Sequence, residues 1–426
     1  MILPERISIL GLGRTGRALV EFLSGKAKLF LSEARLLSPE ERNFLWERGV
    51  RFEEGGHTER VLSADLLVPS PGVPPHIEVL QKALRKGIPV WSEVELAYRV
   101  AQPSLIVAIT GTNGKSTTTE LVGTILRAWG AEPVVAGNIG RPAIGTVEEV
   151  RGRPWVLEVS SFQLLWTEEF RPNVGVWLNF AVDHLDYHGS LAAYFAAKAR
   201  IFSRFTLCDA AVLGREILSR ISPAGKTTVI EDVVLPLGWG ENLPDHLLVN
   251  LKAAWAAALL SRLGKEPPDY EILRPVLYQP HRLEYVGEIR GIPFVNDSKG
   301  TNAHATCAAL RAVSGPVVLI LGGRHKGGGY EALEAPMREK VRACVLIGES
   351  QEFFAALLKA WGVPTDFATD ALEALRKAYS LAQPGDTVLL SPACASFDQY
   401  RDYAHRGEAF KAAFQKLREE SAVRKT

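Results

Sequence analysis

The sequence predicts an α/β protein of three domains, each built on a largely parallel sheet with helices on both faces. Three observations carry this. The chain has 426 residues, which at about 150 residues per domain divides into two or three. Short β-rich apolar runs alternate with amphipathic helical stretches almost throughout, the pattern of strands buried on both faces. Two glycine-rich turns each follow such a strand and open a helix, the place where α/β folds hold phosphates.

Taken in order, the apolar runs Ile7–Leu10 and Leu66–Pro69 predict strands of the first unit, and Ile77, Leu80 and Leu84 recur at helical spacing. Gly87-Ile88-Pro89 closes that unit. A charged helix over Ser92–Arg99 then leads through Ala101-Gln102-Pro103 into new strands at Ile106–Thr110, Trp155–Val159 and Val174–Leu178. Near Leu277-Tyr278-Gln279-Pro280 a helical region ends, and strands follow at Val317–Leu321, Val345–Ile347 and Val388–Leu390. The expected domains are 1–92, 93–278 and 279–426.

Composition narrows the function classes. With 47% hydrophobic residues the chain is neither disordered nor fibrous. Its 49 Lys plus Arg against 48 Asp plus Glu leave a formal +1. So even a balance exerts no bulk pull on nucleic acid or an anionic membrane. Cys208, Cys307, Cys344 and Cys394 form no C-x-x-C pair, so neither a zinc knuckle nor a disulfide frame is signalled. Glu5 and Arg6 interrupt any signal-peptide pattern. The longest helical apolar run, Ala253–Leu260, falls short of the roughly 20 residues of a membrane span. The expectation is a cytoplasmic monomer with no nucleic-acid or membrane partner.

The first glycine turn, Gly11-Leu12-Gly13-Arg14-Thr15-Gly16, fits G-x-G-x-x-G and brings backbone N–H groups to a phosphate at a helix N-terminus. A dinucleotide site also needs an acid about 20 residues on. Ser32-Glu33 stands there. The second turn is sharper: Gly111-Thr112-Asn113-Gly114-Lys115-Ser116-Thr117-Thr118 follows a buried strand. Its N–H groups and helix dipole cradle phosphates, Lys115 reaches the β and γ oxygens, and Ser116 ligates Mg²⁺. Ile109 stands where the general P-loop has its first glycine, so this is a shorter variant that reads as an ATP site.

The string Gly111–Thr118 resembles the ATP loop of the Mur ligase family, amide-bond-forming enzymes of peptidoglycan assembly. Further segments match the family in order: Gly137–Gly140, Glu158–Leu164, Asn179–Asp186, Lys198–Phe202, Pro280–Glu284 and Asn296–Asn302. The Gly-Leu-Gly start and the ending Ser391–Tyr400 resemble the D-glutamate-adding branch. The resemblance implies an N-terminal Rossmann-like UDP-binding domain, a central P-loop-type ATPase domain and a C-terminal Rossmann-like domain that holds the amino acid.

The resemblance also implies roles. ATP would be held by Gly111, Thr112, Asn113, Gly114, Lys115, Ser116 and Thr117, with Asn250 near adenine and Arg282 and Asp297 reaching over from the third domain. Two Mg²⁺ ions would be held by Ser116, Glu158, His184 and Lys198. Lys198 would be carboxylated by CO₂ to a carbamate, which requires a neutral amine, favoured by burial or neighbouring cations. Lys115, Glu158, His184 and Lys198 form the implied catalytic set. Arg14, Thr15, Ser70, Gly72, Asn138, Gln163 and His184 would meet UDP-N-acetylmuramoyl-L-alanine. Thr301, Lys326, Ser396, Phe397 and Tyr403 would surround D-glutamate. The implied reaction makes an acyl phosphate that the D-glutamate amine attacks. Two other classes remain: a relative with a folate acceptor, opposed by the two ends of the chain, and an NAD oxidoreductase at Gly11–Gly16, opposed by the Gly111–Thr117 loop.

Overall fold

The computed structural model describes residues 3–241 and 243–423. Their strands form three sheets. The first contains β1 (Arg6–Leu10), β2 (Lys28–Glu33), β3 (Arg51–Glu54) and β4 (Leu66–Pro69), all parallel, in the spatial order β3-β2-β1-β4. This order matches the first four strands of the six-stranded Rossmann order 3-2-1-4-5-6.

The second sheet contains β5 (Leu105–Thr110), β6 (Val134–Gly137), β7 (Pro154–Glu158), β8 (Val174–Trp177), β9 (Ala210–Leu213) and β10 (Lys226–Val229). It is parallel throughout, in the order β10-β9-β8-β5-β7-β6. The third contains β11 (Glu284–Ile289), β12 (Ile292–Asn296), β13 (Val317–Gly322), β14 (Val341–Ile347), β15 (Thr365–Phe367) and β16 (Thr387–Leu390). Its order is β11-β12-β16-β13-β14-β15, parallel except for the antiparallel edge pair β11 and β12.

Each apolar run expected to form a strand lies on one, with only Val159 and Leu178 falling just past the strand ends. The remaining strands are mostly short, polar or at edges: Lys226–Val229 reads KTTV, with no side chain fully buried.

The three sheets fold as two compact units. One comprises Met1–Phe180, Tyr187–Leu243 and Leu247–Leu273; the other comprises Ala181–Asp186, Pro244–His246 and Arg274–Thr426. The first two sheets share a unit because their cores are continuous. Ile7, Ile9 and Leu31 belong to the same buried cluster as Ala108, Leu157 and Trp177. In the second unit the sheet is covered on both faces. Cys307, Leu310, Phe354 and Leu358 pack on one side, and Ala374, Leu375, Phe410 and Phe414 on the other. Among the described residues no helix is long and apolar enough to cross a membrane, and all four cysteines are free.

Candidate active site

In the first unit, β5 runs into the loop Gly111–Gly114 and then into the helix Lys115–Ala128. Gly114 is the N-cap, with φ 85°. A Cβ there would stand 2.1 Å from Asn250 Oδ1, so only glycine lets Asn250 seat against the loop. Asn179, just past β8, clamps the other side. Its carbonyl accepts from Thr112 N–H (3.1 Å), its Oδ1 accepts from Asn113 N–H (2.9 Å), and its Nδ2 donates to the Asn113 carbonyl (3.1 Å). The loop is thus set before any phosphate arrives, at the positive end of a helix of 14 residues.

Two lysines fold onto this loop. Lys115 Nζ donates to the carbonyls of Gly111 and Thr112, both at 2.9 Å. Lys198, near the end of the helix Leu191–Ala199 and 1% exposed, donates to the Gly111 carbonyl at 2.7 Å. Its ammonium lies 4.9 Å from the Tyr194 ring centroid, and the Tyr194 hydroxyl is 3.2 Å from that of Thr112. Burial, and then the charge of Lys198, press the nearby His188 imidazole down to about 4, so it is neutral. His188 Nε2 contacts Ser161 Oγ at 2.9 Å.

Glu158 ends β7 beside the loop and is 2% exposed. Its Oε1 accepts from Asn138 Nδ2 at 2.7 Å. Its Oε2 is buried with no hydrogen-bond partner, and an uncompensated buried carboxylate oxygen is costly unless a cation completes it.

The N-terminal turn lies in the same unit. A Cβ on Gly16 would sit 2.0 Å from the Gly11 carbonyl, so this glycine is what lets the helix Arg14–Leu23 pack onto the turn. Ser70 Oγ donates to that same carbonyl at 3.0 Å. Arg14 Nη2 reaches the Asn138 carbonyl at 3.4 Å, linking the turn to the end of β6. Thr15 is half-buried and Gly72 exposed. Glu33, which stands where a dinucleotide site has its ribose-binding acid, accepts Leu12 N–H at 2.7 Å. Gln163 is 2% exposed and already engaged: Oε1 accepts from Ser160 and Nε2 donates to Glu93 Oε1 at 3.0 Å.

The second unit gathers the rest. His184 lies there, at φ 55°, with Nε2 3.6 Å from Asp183 Oδ2. Asp183 also accepts from Asn302 Nδ2 (3.0 Å) and stands 3.6 Å from Lys326 Nζ. Lys326 Nζ lies 3.5 Å from Thr301 Oγ1. Asp297 follows β12; burial pushes its carboxyl up to about 7, against a 2.7 Å hydrogen bond from Ser391 and the charge of Arg282. Ser396 is 2% exposed, while Phe397 (64%) and Tyr403 (37%) are open to solvent.

Residues 6–79 match the model of the MurD N-terminal domain, 109–231 that of the Mur ligase middle domain, and 281–394 that of the Mur ligase glutamate ligase domain. The UDP-N-acetylmuramoylalanine--D-glutamate ligase of Geobacillus kaustophilus is 38% identical over 445 residues, covering 97% of this chain and 98% of its own. That of Koribacter versatilis is 38% identical over 450 residues, covering 98% of each. The chain belongs to the Mur ligase family. Among solved structures, MurF ligase from Thermotoga maritima in complex with ADP matches with a TM-score of 0.58 at 16% identity, over 97% of this chain and 95% of its own. MurC ligase from the same organism matches with a TM-score of 0.55 at 19% identity, over 97% and 99%. At these identities the matches establish the fold, the three-domain architecture of Mur ligases.

In this Mur ligase, no group of three or more His, Cys, Asp and Glu side chains gathers into a metal cage among the described residues. The donors present suit Mg²⁺ all the same, since it takes one or two protein oxygens and completes its shell with phosphate and water. The orphaned Glu158 Oε2 and the Ser116 hydroxyl at the helix start are such donors. Sequence reasoning gave no role to Asn179, nor to Tyr187, whose hydroxyl donates to the Val73 carbonyl at 3.0 Å and so braces the Ser70–Gly72 turn. Neither carries a spacing signal, because each acts on a backbone group remote in sequence.

Proposed function

We propose that this Mur ligase uses ATP to join D-glutamate to UDP-N-acetylmuramoyl-L-alanine in peptidoglycan precursor synthesis. The relatives named UDP-N-acetylmuramoylalanine--D-glutamate ligase, 38% identical over nearly the whole chain, support the choice of substrates. The observation that carries the chemistry is the set at the phosphate loop: two lysines on the Gly111 carbonyl and a buried carboxylate with one oxygen unpaired.

The γ-phosphoryl group passes from ATP to the alanyl carboxylate, giving ADP and an acyl phosphate. The D-glutamate amine attacks that carbonyl, loses a proton, and inorganic phosphate leaves as the amide forms. Mg²⁺, two ions in this reading, supplies charge neutralisation on the phosphate oxygens. Glu158, Ser116 and His184 would hold it, with Lys198 as a carbamate. What the carbamate needs from the chain, burial and a neighbouring cation, is present at Lys198. Lys115 leaves the loop carbonyls to meet the γ-phosphoryl oxygens. Gly111–Thr117 and Asn250 bind the nucleotide, joined by Arg282 and Asp297. Arg14, Thr15, Ser70, Gly72 and Asn138 take the UDP-linked acceptor. Thr301, Lys326, Ser396, Phe397 and Tyr403 take D-glutamate. The same reading makes the protein a cytoplasmic monomer without nucleic-acid or membrane partners.

Phosphate release measured with each substrate omitted in turn is the test. It should require ATP, Mg²⁺, the UDP-linked acceptor and D-glutamate together. Equal turnover with L-glutamate or with a folate acceptor overturns the assignment.

A further inference from the structure

The first sheet carries a second concave feature at the end opposite the glycine turn. Arg6 pairs with Lys28, Ser8 with Phe30, and Phe30 with Arg51, so the two-residue period of a strand sets all five side chains on one face. Arg60, in the 3-10 turn Glu59–Ser63, lies over them with its guanidinium 5.0 Å from the Phe30 centroid. These residues line a cavity of about 170 Å³. That is below the roughly 300 Å³ at which sites for drug-sized ligands begin.

The lining is cationic and holds no carboxylate. Three of its cations are already matched from outside: Arg6 by Asp65 (2.5 Å), Lys28 by Glu5 (2.6 Å) and Arg60 by Glu53 at 4.0 Å. Arg51 is exposed and has no ion pair or hydrogen bond among the described residues. Ser8, on the central strand β1, is 1% exposed, and its hydroxyl makes no hydrogen bond among the described residues. It stands on the same face of the sheet as Arg6, Lys28 and Arg51 and lines the cavity with them. A buried hydroxyl left unpaired costs free energy that a bound acceptor recovers. A donor at the floor and an unmatched cation at the rim thus ask for the same ligand.

We propose that this cleft binds a small phosphate-class dianion, either free phosphate or the terminal group of a small monoester. Ser8 Oγ donates to it at the floor and Arg51 supplies the charge. Four residues of strand, Ile7–Leu10, at about 3.3 Å each, separate Arg6 from the glycine turn, so the cleft opens at the other end of the strand from that turn. The inference does not depend on the ligase assignment.

The test is calorimetry on the full chain saturated with ADP, titrated with inorganic phosphate and separately with glycerol 3-phosphate. The parent should show one saturable site for at least one probe. Arg51→Glu should weaken it at least fivefold and Ser8→Ala about threefold, both with unchanged turnover, which also certifies their fold. Phosphate alone binding identifies the free ion as ligand, and equal binding of both probes identifies the phosphate group wherever it is attached. Binding that survives Arg51→Glu belongs to the nucleotide loop and overturns the proposal. So does a parent with no saturable site, whose cleft is then only a solvated basic edge.

Discussion

Lys115 and Lys198 share one acceptor: both ammonium groups donate to the carbonyl of Gly111, at 2.9 and 2.7 Å. Two like charges are therefore held within about 6 Å of each other, a repulsion of a few kcal/mol at an effective dielectric near 20. Converting Lys198 to a carbamate would turn that repulsion into attraction and supply an anionic oxygen. Lys198→Ala should lose most activity while keeping its fold. Lys198→Arg should fail too, because a guanidinium stays protonated and forms no carbamate. Formate or acetate should restore part of the Ala variant's rate. An Arg variant as active as the parent would show that the residue is a plain cation.

Glu158 offers a second test at the same loop. Glu158→Gln keeps an oxygen for Asn138 but replaces the unpaired Oε2 by a neutral NH₂. Even supporting partners of metal ligands typically cost 10–100-fold in affinity when removed. The Mg²⁺ concentration for half-maximal rate should therefore rise at least about tenfold, with an unchanged circular-dichroism spectrum. An unaltered Mg²⁺ titration would place the metal elsewhere.

Tyr187, in the short helix Leu185–His188, tests whether bracing of the Ser70–Gly72 turn matters for the proposed acceptor. Burial pushes its phenol up to about 12, so it remains a donor at any working pH. Its ring lies 4.2 Å, centroid to centroid, from that of Phe162. Tyr187→Phe keeps this ring and deletes the hydroxyl that donates to the Val73 carbonyl at 3.0 Å and lies beside the Trp166 indole. A net hydrogen bond of about 0.5–1.5 kcal/mol corresponds to roughly a two- to tenfold higher KM for the UDP-linked acceptor. KM for ATP and kcat should hold. If Tyr187→Phe changes all three together, the residue has a general structural role.

Where strands are continuously apolar, the sequence reads directly: β5, β7 and β8 are buried on both faces, and the loop after β5 announces itself by its glycines. Edge strands such as Lys226–Val229 do not, because half-exposed pairing needs no apolar pattern. The compact units were hidden for a related reason. The separation of Asp183 and His184 from Phe180 by packing depends on Asn302 and Lys326, more than 100 residues away. No local pattern encodes such a partnership. Likewise Glu158 was legible as a strand-end acid, but its unpaired oxygen emerges only once Asn138 is seen to take the other.

Asp297 gives a prediction in stability instead of rate. Burial raises its carboxyl from 3.8 to about 7 in the folded protein, despite the Ser391 hydrogen bond, the nearby Arg282 and the Leu283 N–H. Between those two values the folded state holds a proton that the unfolded state has released. Stability from this group is therefore fully present below about pH 4 and is lost as pH rises through about 7, with a slope of at most about 1.4 kcal/mol per pH unit. Asp297→Asn cannot ionise, so it should lack this slope. Denaturation midpoints for the two proteins, measured from pH 5 to pH 8, should diverge in favour of Asn as pH rises, by a few degrees per kcal/mol. Should the two profiles run parallel, Asp297 is ionised in the fold throughout. Its charge is then balanced by the nearby Arg282.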